Sequence, residues 1–149
     1  MVSTAACSKE VLDTIPLVMR TIRSEMRRQR QQDLSVPQFR TLGFVGHNPG
    51  ASLSQVAEHV GLPLSSMSKT VDGLVERGLV AHGICRADQR RASLSLTGDG
   101  ASVLEVARKA TQARLAELLD PLPDGERTRV AEAMRFLQRA FAAGAGGDK

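Results

Sequence analysis

The sequence predicts a mainly α-helical chain with a single small β-hairpin, and three observations carry that prediction. Apolar residues recur at steps of three and four along most of the chain, the spacing of amphipathic helices. Two S-x-x-Q boxes, Ser35 to Gln38 and Ser52 to Gln55, mark helix starts. The helical period gives way to polar–apolar alternation in only one place, around Leu79 to Leu96.

Taken in order, the first helix carries Val11, Ile15, Val18, Met19, Ile22 and Met26 on one stripe, with Arg20, Arg23, Arg27 and Arg28 mostly off it. Pro16 allows two starts: near Thr14, with the proline in the first turn, or earlier with a kink at the proline. The second helix begins at Ser35 with a first-turn Pro37 and runs through Phe39, Leu42, Phe44 and Val45 to Asn48-Pro49-Gly50. Ser52 opens a short third helix with Leu53, Val56, Ala57 and Val60 inward, and Gly61 ends it. After Leu62-Pro63, a fourth segment buries Met67, Val71, Leu74 and Val75 and closes at Gly78. Its other face holds Ser65, Ser66, Ser68, Lys69 and Asp72. Two short helices joined by a glycine turn, the second with a polar leading half, form a helix-turn-helix layout.

Leu79 to His82 and Ala92 to Leu96 then read as short strands, and the segment between them holds Arg86, Asp88, Gln89, Arg90 and Arg91. A basic hairpin directly after a helix-turn-helix is a wing. Thr97 caps a long helix through Val103, Leu104, Val106, Ala107, Leu115 and Leu118, which Pro121-Leu122-Pro123 breaks. A last helix from about Asp124 stripes Val130, Ala133, Met134, Leu137, Ala140 and Phe141. The expected organisation is one domain over residues 1–149. Residues 35–120 form the winged helix-turn-helix with its connecting long helix, and 144–149 a flexible tail.

Composition narrows the function classes. At 149 residues, a single core can form without disulfides or metal. Cys7 and Cys85 make no disulfide framework, and His47, His59 and His82 lack metal-ligand spacing, so no metal is expected. With four Phe and neither Tyr nor Trp, the chain is poorly equipped to stack single-stranded bases. No apolar run approaches the ~20 residues of a membrane span. The first ten residues lack a secretory pattern, so a cytoplasmic protein is expected. No nucleophile motif, phosphate-cradling loop or useful carboxylate pair occurs, so neither an enzyme nor a cofactor is expected. The net charge is +4, and it is clustered: five Arg against one Glu from Pro16 to Gln32, three Arg against one Asp from Gly83 to Ser95. Such clusters suit a polyanionic partner or a solvated face.

Met67-Ser68-Lys69-Thr70-Val71-Asp72-Gly73-Leu74-Val75-Glu76-Arg77-Gly78-Leu79-Val80, then Asp88-Gln89-Arg90-Arg91 and Leu94-Ser95-Leu96-Thr97 with Gly100, resemble the MarR family of transcription regulators. The resemblance extends over roughly Val11 to Phe141. It implies a homodimer in which helices at 8–32 and 124–143 of two chains interlock, each winged domain reading double-stranded DNA. By the same resemblance Ser65, Ser66, Ser68 and Lys69 meet the major groove, unless Ser65 and Ser66 only cap their helix. Arg90 enters the minor groove, Asp88 orients it, and Arg86 and Arg91 hold phosphates. Repression, relieved by a small lipophilic or phenolic effector, is the family habit; Met19, Arg23, Phe39, Leu42 and Phe44 are the candidate pocket. Two other readings stay open: a winged-helix module that binds proteins and not DNA, and redox regulation through Cys7 or Cys85.

Overall fold

In the computed structural model, which describes residues 1–30, 33–84 and 92–145, Ser3 opens the first helix. Its hydroxyl accepts from the amide of Ala6 at 3.1 Å, and α1 runs Thr4–Gln29. The start therefore lies ten residues before Thr14 and ahead of the expected residue 8, and the end before residue 32. Pro16 sits inside the helix. A cap ahead of the apolar pattern sets this boundary, and the surrounding turns tolerate the N–H that proline lacks. No residue of α1 is buried, and Leu12, Leu17 and Val18 are exposed.

Both S-x-x-Q boxes form as reciprocal caps. Ser35 and Gln38 open α2 (Val36–His47), and Ser52 and Gln55 open α3 (Leu53–Val60). Gly61, at φ +81°, ends α3 in the left-handed region, and the amides of Gly61 and Leu62 both donate to the Ala57 carbonyl. α4 follows as Leu64–Glu76. Leu42, Val56, Met67, Val71 and Leu74 interlock these three helices in one core with Leu34, Phe39 and Val45. Each is nearly or wholly removed from water, worth ~1.5–3 kcal/mol per large side chain.

Two antiparallel strands follow, β1 (Val80–Ile84) and β2 (Ala92–Leu96), registered from Val80 opposite Leu96 to Ile84 opposite Ala92. The first strand is one residue later than expected. Leu79 is buried, but its amide donates to the Leu74 carbonyl and its own carbonyl accepts from Thr97, so it joins helix to hairpin. Ala51 and Leu94 form a further bridge that ties the α2–α3 turn to β2. Thr97 opens α5 (Gly98–Leu119) by accepting from Gly100, and its hydroxyl donates to the Gly78 carbonyl.

The backbone divides into two compact units, Met1–Gln112 and Ala113–Lys149, with α5 passing from one to the other. In the second unit, Pro121-Leu122-Pro123 separates the end of α5 from α6 (Asp124–Ala145). Arg127 holds this corner through the Asp120 carbonyl and the Asp124 carboxylate. Gly144 and Ala145 extend the last helix past residue 143. Val130, Met134, Phe136 and Phe141 of α6 are exposed.

Candidate nucleic-acid interface

The leading half of α4 is an exposed polar surface of the helix-turn-helix. Its N-cap is Pro63, which offers no side-chain hydrogen bond, so the first-turn amides lack a side-chain cap. Ser65 and Ser66 lie inside that turn and do not cap it. Ser65, Ser66 and Lys69 are exposed and Ser68 is half-buried. Met67, Val71 and Leu74 on the opposite face are at most 1% exposed, which fixes the rotation of the helix about its axis. A row of hydroxyls, an ammonium and the positive end of a helix dipole therefore face outward together.

The far end of α4 is pinned. The Arg77 guanidinium donates to the Asp33 carbonyl at 2.8 Å and to its carboxylate. One turn earlier, a Cβ on Gly73 would lie 2.9 Å from Nε2 of Gln38, the residue that closes the α2 capping box. Gly73 and Arg77 share one helix face (i, i+4), so the α1–α2 junction is seated along that face. Nothing in the sequence pairs Arg77 with Asp33, which are 44 residues apart.

Arg86, Asp88, Arg90 and Arg91, together with Cys85, lie outside the described residues. The strands that flank them in sequence are described up to Ile84 and from Ala92. Cys7 is exposed on α1.

The candidate pocket residues are not all brought together. A cavity of about 580 Å³ is lined by Ile22, Arg23, Met26 and Arg27 of α1 and Arg30 just after it, by Val36, Phe39, Arg40 and Gly43 of α2, and by Leu104 of α5. Arg23 and Phe39 line it. Met19 opens instead onto a neighbouring cavity, with Ile15, Pro16 and Arg20, that shares Arg23 and Arg27. Leu42 is fully buried and belongs to the core. Phe44 faces a different cleft, where its ring stacks on that of His59 with centroids 4.5 Å apart. The expected list missed Arg27, Arg30 and Arg40. The spacing of Arg23 and Arg27 (i, i+4) was the available signal, since it puts two arginines on one helix face, whereas Arg30 follows the last helical residue in extended backbone.

A helix-turn-helix followed at once by a two-stranded hairpin is the architecture of winged-helix DNA-binding proteins. Residues 32–91, which contain the helix-turn-helix and the hairpin arginines, match the MarR family. Over this segment the chain is similar to the MarR family of transcription regulators. An uncharacterized HTH-type transcriptional regulator of Bacillus subtilis, YfiV, is 26% identical over 73% of this chain and 68% of its own length. A putative transcriptional regulatory protein for the hcr operon of Thauera aromatica is 30% identical over 66% of this chain, which spans 59% of that relative. Among solved structures, the transcriptional regulator Tm0710 of Thermotoga maritima has the same fold (TM-score 0.71, 15% identity, 95% of this chain and 97% of that one). So does Streptococcus pneumoniae FabT, solved in complex with DNA (TM-score 0.58, 16% identity, 91% and 98%).

Proposed function

We propose that this protein is a homodimeric, sequence-specific regulator that represses transcription by occupying a pseudo-palindromic duplex and is released by a small molecule. One observation carries the reading: α4 turns Ser65, Ser66 and Lys69 outward from an N-terminus with no side-chain cap, while its other face is locked into the core. Serine hydroxyls and a lysine in the leading turns suit base edges and phosphates of a major groove. In this reading Arg90 enters the adjacent minor groove, Asp88 orients it, and Arg86 and Arg91 neutralise phosphates. FabT, of the same fold, has been solved with DNA bound. The exposed apolar residues of α1 and of α6 supply the surface on which a second copy docks, setting half-sites about one helical turn (~34 Å) apart. The cavity beside Arg23 and Phe39 is the site for the releasing ligand.

The test is a titration of the purified protein against duplex from upstream of its own gene and against a scrambled duplex, at two salt concentrations. Two chains per site, preference for the native duplex and a steep loss of affinity with salt are expected, because each neutralised phosphate releases counterions. Equal, weak binding to both duplexes would remove sequence-specific regulation at that site.

A further inference from the structure

Four arginines line the cavity, and their charge has no counterpart among the described residues. Arg28, next to Arg27, pairs with Glu25 at 3.4 Å. Arg23, Arg27, Arg30 and Arg40 form no ion pair among the described residues, although each lines the same concavity. Arg30 gives one N–H to the Leu34 carbonyl, and Arg40 two to the carbonyls of His59 and Val60. The forks of Arg23 and Arg27 make no side-chain hydrogen bond among the described residues. A guanidinium carries five N–H donors, so most of this donor capacity is uncommitted. A solvated basic face would spread its charges over convex surface. These four line one concavity together with the apolar residues Ile22, Met26, Val36, Phe39 and Leu104.

We propose that the cavity binds an amphiphile with an apolar body and a head carrying about two negative charges, of the phosphate-ester type. The proposal rests on the ligand-release reading above and names the chemistry of that ligand. A lone carboxylate brings one charge and two acceptor oxygens, which leaves three of the four cations uncompensated. A phosphate monoester brings a charge of about −1.5 to −2 and three terminal oxygens that accept bidentate guanidinium bonds. The apolar wall requires a hydrocarbon or ring attached to that head. The cavity's volume of about 580 Å³ lies within the ~300–1,000 Å³ typical of small-ligand sites.

The experiment is calorimetric titration of the full chain at constant ionic strength with three probes: octyl phosphate, octanoate and inorganic phosphate. Octyl phosphate is expected to bind about tenfold or more tighter than either of the others, since it alone satisfies both the cations and the apolar wall. In a variant carrying Arg23→Gln and Arg27→Gln, the preference for octyl phosphate over octanoate should collapse towards unity. Both side chains are exposed, so the fold should survive, and circular dichroism of the variant checks this. Octanoate binding as tightly as octyl phosphate would overturn the proposal, as would inorganic phosphate doing so. Absence of saturable binding by any probe, or an unchanged preference in the variant, would do the same. DNA binding measured without any probe is independent of these results, so loss of the cavity proposal and loss of the regulator reading are separately visible.

Discussion

Gly100 shows how narrowly one side chain can be dictated by its surroundings. It stands in the first turn of α5, where a Cβ would lie 2.1 Å from the carbonyl oxygen of Leu79. That oxygen is already engaged by the Thr97 amide, so backbone on both sides would have to move. Gly100→Ala is expected to destabilise the protein by about 3 kcal/mol, the upper end for overpacking, read as a lower urea midpoint. Gly43 is the contrast: in mid-helix, a Cβ there meets nothing within 4 Å. Gly43→Ala should raise the same midpoint, by up to ~1 kcal/mol of helix propensity. On the DNA side, Arg90→Ala should weaken operator binding by ~1–3 kcal/mol, the cost of a specific contact. Unchanged affinity at fixed salt would withdraw Arg90 from the interface.

Among the elements, helix starts were the most legible feature, because a capping box is a local chemical arrangement complete within four residues. Ser35 with Gln38 and Ser52 with Gln55 both closed as expected. The start of α1 was not legible, because Pro16 also satisfies the rule for a first-turn proline while the true cap, Ser3, precedes the apolar stripe. Pocket residues were harder still. Periodicity says that Leu42 and Phe44 are inward, but not which neighbour they meet, and one proved to be core while the other faced a separate cleft. The four helical serines of interest divide accordingly. Ser52→Ala should cost about 1 kcal/mol of stability through its cap, and Ser35→Ala a similar amount. Ser65→Ala and Ser66→Ala should leave the denaturation midpoint within ~0.5 kcal/mol of wild type, since neither caps α4, yet lower DNA affinity. If Ser65→Ala and Ser66→Ala instead destabilised the fold and spared binding, the assignment of that face would be reversed.

For the molecule as a whole, the distribution of burial is uneven. The winged-helix region holds almost every fully buried side chain, whereas α1 has none, although it spans 26 residues. A helix of that length with Leu12, Leu17 and Val18 in water is expected to be covered by another copy. Light scattering should give twice the 16.0 kDa chain mass, and Leu12→Glu with Leu17→Glu should shift it towards a single chain without unfolding the winged domain. A single-chain mass for the unmodified protein would leave the faces of α1 and α6 without their proposed partner. The sequence also leaves the molecule without tryptophan or tyrosine, so it is dark where most proteins fluoresce. The ring stack between Phe44 of α2 and His59 of α3 turns that silence into an opportunity. Phe44→Trp would install one emitter against an imidazole on the seam between those helices, and its colour and lifetime would report, without any added dye, whether that seam shifts when DNA arrives or leaves.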